Sequence, residues 1–470
     1  MTLTYILVFL VIAVFLGLVT RDRGRVYLLF GISALAVYAL QPALPVRGLD
    51  FYLPTATLAL TSLSWILTTP PENRDWRTNW PAAALLAGLV LALGLTRYLG
   101  YSLPFTASRP PPIVPIAVAL MLAALLAFAL SRLACSASAA WIFVLLALFV
   151  VLKTPALTTL VSAWLRGLTH QSIELASAFD IRWLGFSYVA FRILHTLRDR
   201  LTDRLPVVSL AEYVTYVVFF PTLTAGPIDR LERFIQDLRR PPALSGADLG
   251  EAGKRLAIGL FKKFVIADSL ALIALNGTNA LQVHTAGWMW VLLYAYAFQI
   301  YLDFSGYTDI AIGIGRLMGF ELPENFLAPY LKPNLTQFWN NWHMTLTQWF
   351  RAYFFNPVTR AMRAANRPIP VPIIILITQI STMTLIGLWH GVTWNFVLWG
   401  LWHGVGLFIH NRWSESTRAH AAALPPRWQS VLNFGGALLT FHFVALGWVW
   451  FALPNLGISW QVFLKLFGIV

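Results

Sequence analysis

The sequence predicts an all-α fold, a polytopic transmembrane helical bundle with about 11 to 13 membrane helices plus re-entrant and interfacial pieces. Three observations carry that reading. Of 470 residues, 58% are hydrophobic and only 11% are charged, with a mean hydropathy of +0.67, whereas soluble domains carry about 25% charged residues. The charges are segregated, with no Asp, Glu, Lys or Arg in 1–20, 26–46, 51–71, 78–96, 110–131, 269–302, 368–411 or 428–464. These runs are long and continuous, not the alternating ten-residue segments of a membrane β-barrel.

Taken in order, the first five runs each fit one crossing, since a helix needs roughly 20 apolar residues to cover the hydrocarbon core. The last three each fit one or two crossings, or one crossing and a re-entrant piece. Weaker spans lie near 139–163, 183–197, 207–226 and 335–358. The first run has no basic segment before it, so it reads as a span and not as a cleavable signal. Arg21, Arg23 and Arg25 follow the first run, Arg74 and Arg77 the third, and Arg132 the fifth. All fall on one side if the N-terminus faces outward, and the positive-inside rule then accounts for the net charge of +14 without nucleic acid as a partner. The single cysteine, Cys135, can form neither an internal disulfide nor a zinc site.

Residues 1–165 are plain N-terminal transmembrane helices, 166–411 form the polar and aromatic core, and 412–470 supply C-terminal transmembrane helices. Within the core, 229–268 is the most charged stretch. Asp248 with Glu251 reads as a helix start of the capping-box kind. Beyond it Arg255, Lys262 and Lys263 share one side of a helix expected at the cytoplasmic surface. That basic side suits lipid phosphates first, and an anionic donor such as coenzyme A or an acidic carrier protein second.

Three of nine histidines lie in apolar, tryptophan-rich segments: His343 in QFWNNWHMTLTQWFR, His390 in LIGLWHGVTWNFVLWG and His403 in WGLWHG. Imidazole suits acyl transfer because it can take up a proton at neutral pH, and an apolar setting keeps it neutral and ready as a base. Taken singly, a buried His beside Trp is more often a packing residue. The pairing of His343 with His390 in neighbouring segments marks those two. Trp339, Trp342, Trp349, Trp389, Trp394, Trp399 and Trp402 bracket the histidines and suit a cavity wall with indole N–H donors. Gly387, Gly391, Gly400 and Gly404 suit close helix packing, or room for a substrate tunnel. No HExxH or Cys/His spacing occurs, and Asp303 and Asp309 are the acids set in the apolar segments before the histidines, so no metal site is expected. No GxSxG is present either.

The segments FFPTLTAGPIDR (219–230), GLFKKFVIAD (259–268), YAYAFQIYLDFSGYTDIAIG (294–313), ELPENFLAPY (321–330), QFWNNWHMTLTQWFR (337–351) and GLWHGVTWNFVLWGLWHG (387–404) resemble the membrane-bound O-acyltransferase family. They look most like its bacterial branch, which includes alginate O-acetylases and the D-alanyl transfer protein of teichoic acid synthesis. The resemblance covers roughly 181–410. It implies that family's fold and transfer of an acyl group from a cytosolic thioester to a hydroxyl, through a tunnel crossing the protein. It places His390 at the histidine of the family's WHG motif and His343 at the second functional histidine. Asp303, Ser305 and Tyr307 match the DFSGY segment near the reaction chamber. The sequence departs from the family pattern at Ala352, at Pro357-Val358-Thr359-Arg360 and at Thr393.

These readings assign catalysis to His390 and His343, and substrate binding to Asp303, Ser305, Tyr307, Trp339, Trp342, Trp389, Trp394 and Asn395. The donor expected is acetyl-CoA, another acyl-CoA or an acyl carrier protein, with no tightly bound cofactor. The acceptor expected is a cell-surface or exported polysaccharide, with a possible periplasmic acyltransferase partner, in the cytoplasmic (inner) membrane. Transfer of D-alanine from a carrier protein towards teichoic acid is the alternative enzyme reading. A transporter or flippase is the alternative of another class, although such proteins often show repeated halves and no repeat is visible here.

Overall fold

The computed structural model describes residues 2–19, 24–99, 104–132, 136–202, 205–240 and 244–469, and among them every regular element is helical. Cys135, Arg21 and Arg23 lie outside the described residues. The chain divides into two compact units, one of Met1–Leu256 with Ile310–Pro323, the other of Ala257–Asp309 with Glu324–Val470.

The first unit contains α1 (Leu3–Val19), α2 (Gly24–Leu40), α3 (Leu49–Thr68), α4 (Trp76–Leu95), α5 (Ile113–Arg132), α6 (Ser136–Lys153), α7 (Pro155–Leu168), α8 (Phe186–Arg200), α9 (Leu210–Val217), α10 (Leu231–Arg239) and most of α11 (Gly246–Leu260). The second adds α12 (Asp268–Ala271), α13 (Asn279–Gln282), most of α14 (Ala286–Leu317), α15 (Leu335–Asn341), α16 (Met344–Phe350), α17 (Asn356–Arg363), α18 (Val371–His390), α19 (Trp394–Ala422), α20 (Pro426–Ala452) and α21 (Leu456–Leu466).

The all-helical membrane class holds. Among the described residues, α3, α4, α5, α18 and α20 are long and apolar enough to span, and α6 with α7 makes a sixth, bent by 93°. That bend follows from Pro155, which disfavours helical geometry at the preceding residue; Thr154 is extended, with φ −102° and ψ 107°. The count falls below the 11 to 13 expected because α1 and α2 are apolar but only 17 residues each and because weaker runs break up. The run 335–358 becomes α15, α16, a π-helical turn and the start of α17, and 207–226 holds only the eight residues of α9 as α-helix.

Charges that look like loop markers in the sequence have structural tasks. Arg25 is buried, and its guanidinium donates to the carbonyls of Asp237 (3.2 Å), Leu238 (3.2 Å), Arg240 (2.5 Å) and Met318 (2.5 Å). It thereby satisfies carbonyls left open at the end of α10. The start of α11 differs from the expected pair. Ser245 and Asp248 form the box, with Asp248 N–H on Ser245 Oγ (3.1 Å) and Ser245 N–H on Asp248 Oδ2 (3.1 Å), while Glu251 meets Lys254 and Arg255. Serine three residues before the acid makes the reciprocal geometry possible.

In the second unit, α11 runs into a π-helical segment, Phe261–Ala267, that lies against α14 at Gly306. A Cβ there would sit 2.8 Å from the Gly259 carbonyl oxygen and 3.0 Å from the Lys263 nitrogen, so only glycine permits this approach. The approach lets Lys262 pair with Asp309 at 2.7 Å and Lys263 with Asp303. The two lysines expected to face lipid phosphate are therefore already matched by carboxylates. Helices α18 and α19 meet through glycines: a Cβ on Gly387 would stand 2.2 Å from Phe396 O, on Gly400 2.5 Å from Thr384 Cα, and on Gly404 2.8 Å from Ile380 Cα. Close packing, the first of the two explanations offered for these glycines, is what they provide.

Candidate active site

His343 occupies the break between α15 and α16, in the left-handed conformation with φ 41° and ψ 54°. A non-glycine residue there costs of order 1–3 kcal/mol and persists only when its surroundings hold it. Asn325 does the holding. Its Oδ1 lies 3.1 Å from His343 Nδ1, 3.2 Å from Thr345 N and 2.9 Å from Thr345 Oγ1, and its backbone carbonyl accepts Met344 N–H at 2.9 Å. A backbone N–H only donates, so the atom facing Thr345 is the amide oxygen, and His343 Nδ1 must carry the proton. The lone pair then sits on Nε2, which is buried and has no hydrogen-bond partner among the described residues.

His390 ends α18 and is half-buried. Its ring packs against Trp389 (centroids 4.4 Å apart), Phe451 (4.6 Å), Phe396 (5.8 Å) and Trp399 (5.8 Å). Trp389 also meets His343 at 6.2 Å, so one indole joins the two histidines. Gly391 helps, because any Cβ there would come within 2.8 Å of the Phe396 ring. His403, fully buried, lies 4.9 Å from Trp399 and 5.0 Å from Trp339. Both its ring nitrogens and the indole nitrogens of Trp339 and Trp399 have no partner among the described residues. Each buried polar atom left unpaired costs about 1–3 kcal/mol, so such a cluster suits a place where water or a polar substrate completes the hydrogen bonds.

The structure brings together His343, His390, Trp389 and Trp339, and adds Trp342 on the far side of Phe326, with Trp342 5.2 Å and His343 6.4 Å from that ring. Trp394 is 72% exposed, and none of the described ring contacts joins it to the histidines. Asn395 is buried, donating to Leu453 O (2.9 Å) and Ser459 Oγ (3.0 Å), an anchor between α19 and the start of α21. Asp303 pairs with Lys263. Ser305 and Tyr307 are buried in α14. Of the DFSGY segment, Phe304 is the residue whose ring meets His343, edge-on at 4.7 Å. Asn325, Phe304 and a place for His403 in the cluster are what sequence reasoning missed. Asn325 stood within the ELPENFLAPY motif, next to Glu324, and nothing local set it apart as a partner of His343.

A cavity of about 300 Å³ adjoins this cluster, lined by Trp339, Asn340, Arg351, Gln379 and Asn411 among others. Trp339 is common to the cavity wall and the surroundings of His403; His343 and His390 do not line it. Arg351 donates to Asn340 Oδ1 at 2.6 Å. Among the described residues no three His, Cys, Asp or Glu side chains gather as they would around a metal ion.

Comparison with known proteins places this geometry in context. The pattern of the membrane-bound O-acyltransferase family matches residues 136–447, well over half of the chain. A probable alginate O-acetylase of Azotobacter vinelandii is 35% identical over 292 residues, 61% of this chain and 54% of that protein. A peptidoglycan O-acetyltransferase of Helicobacter pylori is 33% identical over 319 residues, 64% of this chain and 58% of its own length. A teichoic acid D-alanyltransferase of Streptococcus thermophilus is 29% identical over 297 residues, 58% of this chain and 68% of that protein. The chain thus spans little more than half the length of the first two.

Proposed function

The chain belongs to the membrane-bound O-acyltransferase family, and on that premise we propose that it transfers an acyl group, acetyl in the first instance, from a cytosolic thioester to hydroxyls of a cell-surface or exported polysaccharide. The observation that carries this reading is the placement of His343 and His390 against one indole, Trp389, in a cluster rich in buried N–H groups.

His390 acts as general base. It takes the proton of the acceptor hydroxyl as that oxygen attacks the thioester carbonyl; the tetrahedral intermediate then collapses, the C–S bond breaks, and the imidazolium returns its proton to the leaving thiolate. His343, with its proton fixed on Nδ1 by Asn325, offers Nε2 to orient the acceptor hydroxyl. General-base help of this kind contributes ~10²–10⁴-fold. His390→Ala should lose transfer of label from acetyl-CoA to polysaccharide by that factor, with protein amount and monodispersity in detergent unchanged. Transfer that survives the change at the wild-type rate rules the assignment out.

The teichoic acid D-alanyltransferase among the relatives supports a second donor reading, an aminoacyl group on a carrier protein. Thiol release separates the two: turnover of acetyl-CoA by the wild type favours acetylation, and turnover only of a loaded carrier protein favours aminoacyl transfer. The cytoplasmic membrane, and a periplasmic partner that completes transfer, belong to the same proposal. Purification of this chain with an extracytoplasmic acyltransferase attached would support the second of these.

A further inference from the structure

In the first unit, α3, α4 and α5 enclose a groove of about 490 Å³. It extends from Tyr52 to Ile66 on α3 and from Trp76 to Val90 on α4, about 21 Å at 1.5 Å per residue. Eight alanines line it, including Ala59, Ala87 and Ala123. Its floor is buried leucine and valine, Leu58, Leu86 and Val90. The threonine and serine hydroxyls at its walls are already satisfied: Thr55 donates to Phe51 O and Ser62 to Leu58 O, each at 2.9 Å. Apart from the Tyr52 hydroxyl at one end, the groove asks its guest for no hydrogen bond.

All three helices are long and apolar enough to span a membrane, and on α5 the residues Val114, Val118, Leu122, Leu125 and Phe128 are exposed beside it, so the surroundings are hydrocarbon. A volume of 490 Å³ over that length leaves a cross-section of about 23 Å², enough for one extended chain. One end carries interfacial groups. Trp76 is 70% exposed, Arg77 and Arg132 are exposed, and Arg74 ties the α3–α4 loop to the end of α5 by donating to Ser131 O at 3.0 Å. Two acids share this end. Glu72 is exposed, and the carboxylate of Asp75 is taken up in capping α4 through Arg77 N–H and Thr78 N–H.

We infer that this groove binds a single anionic phospholipid, one acyl chain lying between α3, α4 and α5 and the phosphate meeting Arg77 and Arg132. Aromatic residues and arginines at one level are how membrane proteins engage lipid headgroups, and basic pockets at helix ends select anionic ones. The site does not depend on the acyl-transfer reading.

The test is lipid retention by the purified full chain in mild detergent, counted by native mass spectrometry during titration with phosphatidylglycerol or phosphatidylcholine. The wild type should saturate at one phosphatidylglycerol and bind phosphatidylcholine at least about tenfold more weakly. Ala87→Phe with Ala123→Phe fills the groove and should weaken binding of either lipid roughly tenfold or more. Arg77→Gln with Arg132→Gln changes two exposed residues, gives up the surface stack of Arg132 on Phe128 (5.0 Å), and should erase the preference for phosphatidylglycerol, a loss of about thirtyfold for two charges. Binding that follows the lipid-to-detergent ratio without saturating, or that is unchanged in the arginine pair, overturns the inference. So does a wild-type dimer broken by Ala123→Phe, which would give the groove to a second copy.

Discussion

Replacing Asn325 by Ala removes the side-chain oxygen on which three donors of the His343 turn converge and keeps the backbone carbonyl that accepts Met344 N–H. The amide oxygen accepts from His343 Nδ1, Thr345 N and Thr345 Oγ1 at 3.1, 3.2 and 2.9 Å, and Asn325 is wholly buried. Loss of that acceptor leaves the His343 and Thr345 N–H groups without it, at about 1–3 kcal/mol each. The left-handed backbone of His343 (φ 41°), strained already in the wild type, then has less to hold it. The total, about 2–6 kcal/mol for the two groups, is a large part of a typical folding free energy of about 5–15 kcal/mol, so a local rearrangement of 342–345 should relieve it. Freed of Asn325, the imidazole can place its proton on either nitrogen and rotate, and a misplacement of about 1 Å can cost 10²-fold. The assay pairs thermal unfolding in detergent with transferase kinetics. Asn325→Ala should lower the unfolding temperature and reduce kcat by about 10²-fold, while Thr345→Val, which removes only one hydroxyl, should cost about tenfold or less. Unfolding temperature and kcat both at wild-type values in Asn325→Ala would show that this amide holds nothing in place.

Other predictions rest on different parts of the molecule. Gly400→Ala puts a methyl group 2.5 Å from Thr384 Cα and 2.7 Å from Met383 O, backbone that cannot step aside, so the protein should be recovered aggregated or protease-sensitive. Gly435→Ala on α20 meets nothing within 4 Å and should be neutral or stabilising by about 0.5–1 kcal/mol, read as an unchanged or higher unfolding temperature. Arg25→Met leaves four carbonyls of the first unit without their shared donor and should destabilise by about 3 kcal/mol or more, with Arg25→Lys recovering part. The Asp248 carboxyl is held below the usual carboxylate range, first by the Ser245 hydroxyl, then by its backbone N–H and by Arg316. Its folded value is the lower one, so the cap contributes fully above the unfolded value near 3.9 and is lost as pH falls through the depressed folded value. Amide exchange in the first turn of α11 should therefore be flat above about pH 5, after correction for intrinsic rates, and accelerate in more acid solution; Ser245→Ala should remove that protection at every pH.

Charge-free runs and hydropathy were enough to establish a helical membrane protein, because the cost of burying charge in hydrocarbon is written in composition. The histidine motifs stood out as candidates, but imidazole beside tryptophan is more often packing, so the pattern alone did not separate a base from a core residue. The number of clean spans was not legible either: Pro155 bends one run by 93°, and the His343 turn divides another, effects that depend on individual residues and escape an average over twenty. Nor could sequence show that Arg25, Lys262 and Lys263, which look like surface cations, are held by carbonyls and carboxylates from remote segments. The same applies to Asn325, which lies eighteen positions from His343 and becomes its partner only when two turns meet. Local pattern decided that the chain crosses the membrane and which residues were candidates for chemistry. Tertiary structure alone decided which polar groups pair with each other and which are left open, because hydrogen-bond satisfaction is a property of neighbours in space.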